Sequence, residues 1–194
     1  MKPEDKGEQM AGDVRQRMVL SALYLIAERG VAGTSIADIL ERSGAPRGSV
    51  YHHFPGGKDE IVRAAMNYMA TDARAPLAAL SGADASGVVR GFVALWRAIL
   101  TRSDFAAGCA TAGVTTSGES EAARDAAREV FQLWIEDLSD LLTAAGLARD
   151  AATDFAWMMF ASVEGALIFA KGERSMRSVD LVERQLLAYA ATLS

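Results

Sequence analysis

The chain has little of what covalent or metal chemistry needs. Its single cysteine, Cys109, excludes an intrachain disulfide and any site built on several thiolates. The only histidines are the adjacent pair His52 and His53, so a cysteine–histidine catalytic couple would have to bridge distant stretches of sequence. A G-x-S-x-G elbow is missing, and the phosphate-loop spacing from Gly113 to Gly118 is followed by Glu119 where a lysine is required. The expectation is therefore a protein that is not an enzyme and carries no cofactor and no metal. Uncharged apolar runs long enough to span a bilayer are lacking as well. The first thirteen residues, MKPEDKGEQMAGD, mix both charge signs around no apolar core, unlike a secretory or transit peptide. A cytoplasmic protein with no membrane partner is expected, with residues 1–12 as a disordered tail.

Prolines are few, four in 194 residues, and 51% of the residues are hydrophobic against 23% charged. With abundant alanine, this composition favours a folded, helical protein. The net charge of −5 runs against nucleic-acid binding, which draws its affinity from phosphate contacts. The distribution says otherwise. Between Arg42 and Lys58 stand Arg42, Arg47, Lys58, His52 and His53, and no aspartate or glutamate; an acid-free stretch in an acidic chain fits a local phosphate contact or a chance gap.

Val14, Met18, Ala22, Leu25 and Ile26 recur at three- and four-residue spacing, predicting a helix from Asp13 to Arg29 that Gly30 stops. Thr34 and Ser35 offer caps for a short second helix ending at Arg42. Ser43-Gly44-Ala45-Pro46 breaks it, and Pro46 opens a third helix running to about His53. Two short helices around a glycine-containing turn make a helix-turn-helix pattern. Further helices are expected from Lys58 to Pro76, over 85–101, 121–145, 150–171 and 178–192, with a short one over 105–111.

The run Gly33-Thr34-Ser35-Ile36-Ala37-Asp38-Ile39, followed by Gly44-Ala45-Pro46-Arg47-Gly48-Ser49-Val50-Tyr51-His52-His53-Phe54, resembles the DNA-binding domain of the TetR family. Phe54-Pro55-Gly56-Gly57-Lys58, Phe105-Ala106-Ala107-Gly108-Cys109 and Glu164-Gly165-Ala166-Leu167 resemble its LmrA/YxaF-like branch more faintly. Two departures stand out: a second glycine before Lys58, and Ala110 where that branch usually has proline. The resemblance implies an all-α chain of about nine helices. Its parts would be a helix-turn-helix head over 13–57 and a helical ligand-binding and dimerisation body over 58–194. It also implies a homodimer on a palindromic double-stranded DNA operator, released by a small hydrophobic or aromatic effector. An activator of the same fold, or a ligand-carrying bundle that does not bind DNA, stays open as an alternative.

In the head, Val50 and Phe54 take the inner face, which leaves Pro46, Arg47, Gly48, Ser49, Tyr51, His52 and His53 for DNA. Arg47 can grip guanine O6 and N7 in the major groove, while Tyr51, His52 and His53 could equally cover the head's small core. Thr34 and Lys58, at helix N-termini, suit phosphate. The ligand candidates are Trp96, Phe105, Cys109, Trp134, Phe155, Trp157, Met158 and Met159, with Thr111 as an orienting hydroxyl beside Thr115 and Thr116; on spacing alone ordinary core packing explains most of them better, and the resemblance is what favours a pocket. The dimer candidates are Gly165, Ala166, Val179, Val182, Leu186 and Tyr189, from small-residue and three-four spacing on the last two helices.

Overall fold

A computed structural model describes residues 3–116 and 120–193, with side-chain environments from Asp13 onward. Gly118 and Glu119 of the phosphate-loop spacing lie outside the described residues. The elements are α1 (Pro3–Arg29), α2 (Ile36–Ser43), a 3-10 turn (Arg47–Ser49) leading into α3 (Val50–His53), α4 (Gly57–Ala70), a second 3-10 turn (Asp72–Arg74) leading into α5 (Ala75–Ala78), α6 (Ala85–Arg102), α7 (Ala110–Thr116), α8 (Glu121–Ala144), α9 (Arg149–Glu173) and α10 (Arg177–Leu193). No strand occurs among the described residues. The all-α class holds, and the surplus over about nine helices is the single-turn piece α5.

Two compact units emerge: Met1–Met69 with Ala110–Arg128, and Ala70–Cys109 with Glu129–Ser194. A head ending at residue 57 was expected; instead α4 and the segment after Cys109 group with it. The reason is apolar surface. A head of about 45 residues buries little on its own, whereas α4 adds buried Ile61, Val62, Ala65 and Met66 and α7 adds Ala110 and Val114. Helix α7 packs on α1, where a Cβ on Gly113 would come within 3.2 Å of the Ile26 carbonyl oxygen.

In the first unit, α1 buries Met18, Ala22, Leu25 and Ile26 as the spacing predicts. The helix begins well before Asp13, at Pro3, so the backbone of 3–12 is not the irregular tail expected from composition. Proline lacks the N–H that a first helical turn leaves unused. Gly30, with φ of 75°, ends the helix, and Gly44, with φ of 65°, ends α2. Both sit in the left-handed region that glycine enters without strain.

In the second unit, α6, α9 and α10 pack on one another. Their buried residues include Phe92 and Trp96 on α6, Phe155, Met159, Phe160 and Val163 on α9, and Val179 and Leu186 on α10. Arg97 on α6 reaches two acids on α10, Asp180 at 2.6 Å and Glu183 at 2.5 Å. Burial pulls its pKa down, but those hydrogen bonds outweigh burial and hold the guanidinium above its ordinary value. Helix α9 is long and apolar enough by composition to cross a bilayer; here Phe155, Met159, Phe160 and Val163 are buried in the unit. The short helix expected over 105–111 does not form. Asp104 and Phe105 adopt φ of 50° and 63°, which a right-handed helix cannot include, and the next helix starts only at Ala110.

Candidate nucleic-acid interface and buried polar site

The head is set by polar ties around α2. Ser35 caps the helix: its Oγ accepts from the Asp38 N–H at 3.1 Å, while the Asp38 carboxylate accepts from the Ser35 N–H at 2.9 Å and from its hydroxyl at 2.6 Å. This reciprocal box satisfies amides that a helix start leaves unpaired. The Ser35 hydroxyl and then its N–H hold the Asp38 carboxyl below its ordinary value. Arg42 pairs with Glu28 at 3.0 Å, and Arg17 Nε donates to the Ser43 carbonyl at 3.1 Å.

With Val50 and Phe54 fully buried and Arg15 lying 4.9 Å over the Phe54 ring, the short helix has one outward face. Pro46, Arg47, Gly48, Tyr51 and His52 are exposed, and Tyr51 retains 66% of its surface. A Cβ on Gly48 would meet nothing within 4 Å. Ser49 is half-buried and donates its hydroxyl to the Pro46 carbonyl at 2.6 Å. His53 is half-buried too, and burial first, then the charges of His52 and Arg15, lower its pKa. Lys58 is half-buried in the first turn of α4, after Gly57 turns the chain with φ of 65°.

Thr34 departs from expectation. It is 2% exposed and donates its hydroxyl to the Gly30 carbonyl at 2.8 Å, so Ser35 takes the cap and Thr34 has no free hydroxyl for phosphate.

In the body, five aromatic rings cluster. Phe160 lies centrally, with its centroid 5.5 Å from Phe92 and from Phe131, 6.2 Å from Trp134 and 6.4 Å from Trp96. Of the ligand candidates, Trp96, Trp134, Phe155 and Met159 are buried, and Phe105 and Cys109 are half-buried. Trp157 and Met158 instead face outward, 56% and 37% exposed, because Phe155 and Met159 occupy the inward positions of that turn. Thr111 belongs to the first unit, so it does not join the body set. Thr115 and Thr116 bond back to their own helix, to the carbonyls of Thr111 and Ala112 at 2.9 Å.

Of the dimer candidates, Ala166, Val179 and Leu186 are buried in their own unit and are corrected to core residues. Gly165 is half-buried. Val182, Leu186 and Tyr189 line a shallow groove with Met158, Ser162, Leu181 and Gln185. Exposed Ile168 and Phe169 on α9 and Leu181 on α10 escaped the spacing argument.

Two buried polar atoms of the body, Trp96 Nε1 and Glu164 Oε1, have no hydrogen-bond partner. Each such group costs about 1–3 kcal/mol. Burial pushes the Glu164 carboxyl up to about 7 despite the Cys109 thiol, which donates to it and pulls the other way. The sequence holds a signal for this group, a lone acid within the apolar run Phe155 to Ala170, which spacing arguments for apolar stripes pass over.

A family model for the C-terminal domain of LmrA/YxaF-like transcriptional regulators matches residues 85–185, and one for bacterial regulatory proteins of the tetR family matches residues 20–65. The chain belongs to the TetR family. A helix-turn-helix-type transcriptional regulator of Mycobacterium tuberculosis is 35% identical over 179 residues, covering 89% of this chain and 91% of its own. The regulator LmrA of Bacillus subtilis is 28% identical over 163 residues, covering 82% and 87%. The fold matches the crystal structure of a TetR regulatory protein from Rhodobacter sphaeroides with a TM-score of 0.80 at 22% identity, over 89% of this chain and 96% of that one. As a TetR-family transcriptional regulator the chain is a DNA-binding protein, in keeping with the helix-turn-helix read from its first third.

Proposed function

We propose that this regulator is a cytoplasmic, homodimeric repressor that grips a palindromic operator through the exposed face of α3 and leaves it when a small hydrophobic or aromatic molecule enters the body. The observation that carries this is the outward row Pro46, Arg47, Gly48, Tyr51 and His52, exposed on a helix whose inner residues are fully buried. It offers a planar guanidinium, a close-approach glycine and two hydrogen-bonding rings to a major groove. His53 and Lys58 contribute phosphate contacts at its edges, while the Ser49 hydroxyl is spent on the Pro46 carbonyl. The unit of residues 1–69 and 110–128 carries the reading head, and that of 70–109 and 129–194 supplies the ligand site and the dimer contact.

Dimerisation draws support from the apolar side chains that α9 and α10 leave uncovered. Trp157, Ile168, Phe169, Leu181 and Tyr189 are each at least 43% exposed, and exposed apolar surface on this scale marks an interaction face. Two heads related by a two-fold axis read a palindrome, with half-sites about 34–36 Å apart. The aromatic cluster, and the unpaired polar atoms of Trp96 and Glu164, support a ligand site. Repression is the sign the family resemblance implies.

The test is a footprint on DNA upstream of the chain's own gene, with sedimentation of the protein at micromolar concentration. A protected palindrome and a dimer are expected. Protection of an asymmetric site by a monomer would overturn the reading.

A further inference from the structure

The aromatic cluster and the acid beside it describe a site that lacks one member. Phe160 and Glu164 lie one turn apart on the same face of α9, and Trp96 stands 6.4 Å from Phe160 between centroids. Trp96 is 4% exposed with its indole N–H unpaired, and Glu164 has an unpaired, solvent-free Oε1. Among the described residues the partner of that carboxyl is the Cys109 thiol, a weak neutral donor. Lys171, two turns along α9, has its stem against Gly108, where a Cβ would fall 3.1 Å from Lys171 Cδ. A carboxylate with a solvent-free oxygen is normally matched by a cation, and among the described residues none acts on Glu164.

We propose that the body's effector is an aromatic ammonium compound: its ring system packs among Trp96, Trp134 and Phe160, and its cationic nitrogen pairs with the Glu164 carboxylate. Aromatic faces attract cations on their own account, more strongly where water is excluded. A charge-assisted bond to the acid adds to this. The raised pKa of Glu164 fits an acid poised to ionise when a cation arrives. This inference rests on the effector-binding reading above and narrows it to one chemical class.

The test uses the full chain and three probes that share a ring system and differ in charge: naphthylmethylamine, naphthylmethanol and naphthoate. Calorimetry at neutral pH, repeated in buffers of different ionisation enthalpy, reads affinity and protons exchanged. The amine is expected to bind about tenfold more tightly than the alcohol, naphthoate most weakly, and the amine to release a proton as Glu164 ionises. Glu164→Gln should abolish the amine's advantage and the proton release while leaving the alcohol unchanged. The wild-type proton count needs no variant, so it stands even if Glu164→Gln folds poorly.

Equal binding of all probes, preference for the alcohol or the acid, no binding of any, or an amine preference that survives Glu164→Gln would each overturn the proposal. A shift assay separates the two levels. Operator release by a neutral or anionic aromatic would keep the regulatory reading and sink this one. An amine that binds as described yet leaves the operator complex intact would sink the regulatory reading and with it the effector role, leaving only the chemical class of the site's ligand.

Discussion

The helix-turn-helix and the body handle buried polarity in opposite ways. In the head, the buried Thr34 hydroxyl donates to Gly30, and the Ser43 hydroxyl both donates to the Leu40 carbonyl and accepts from the Ala45 N–H at 3.3 Å. The exposed polar groups of α3 stand on that bonded frame, although in the same unit the Thr111 hydroxyl on α7 is buried without a partner. In the body, Trp96 and Glu164 keep buried polar atoms unpaired among five packed rings. A surface that must present the same face to every operator gains from a rigid, fully bonded support. A site for a small molecule retains unfilled bonding capacity that only its ligand meets.

The largest effect should come from removing the head's core. Phe54 is fully buried, so Phe54→Ala should cost about 3–5 kcal/mol, read as a lower denaturant midpoint, with operator binding lost. If binding survives in full, α3 does not depend on this packing and the head is less rigid than the comparison holds.

Next in size is the body's acid. The folded pKa of Glu164, about 7, lies above its ordinary 4.5, so the stability it allows is complete below about pH 4.5 and is lost as pH rises through 7. Glu164→Gln should raise stability at pH 8 by up to about 3 kcal/mol and change little at pH 4. Denaturation at both pH values checks it; a variant less stable at pH 8 would show that the carboxylate is stabilised in the fold rather than strained.

Smaller again is the pair Arg47 and Lys58, which sharpens the account of the head. Arg47→Ala should lose about 1–3 kcal/mol on the operator and much less on scrambled DNA. Lys58→Ala should weaken both DNAs alike and lower the slope of log affinity against log salt by about one unit per lost contact in each head. Equal losses for Arg47→Ala on both DNAs would make it a phosphate clamp. Smallest is Ser35→Ala, which removes the α2 cap at about 1 kcal/mol. A thermal melt reads that loss, and no change in the melt would mean that the Asp38 carboxylate alone secures α2.

Most of the head was legible in the sequence because its signals are local. Gly44, Pro46 and the four-residue step from Val50 to Phe54 each act through neighbouring backbone, and the structure places them as turn, helix opener and core. The body was legible in kind but not in facing. A run such as Phe155 to Phe160 is apolar all round, so spacing cannot say that Phe155 and Met159 turn inward while Trp157 and Met158 turn out. The left-handed Asp104 and Phe105 carry no glycine to announce them, and the helix placed there fails for that reason. Thr34 and Ser35 were equivalent caps by type; only the contact with the Gly30 carbonyl separates them.

Arg97 sets how the second unit opens in time. One guanidinium on α6 holds Asp180 and Glu183, side chains three residues apart on α10, so neither helix can fray past this level without releasing both carboxylates. Amide hydrogens around Arg97 and around these two acids should therefore exchange with solvent as one cooperative group, on a shared timescale. The face of α10 that carries Leu181 and Tyr189 then opens as part of the same cooperative unit as α6, the helix that carries Trp96.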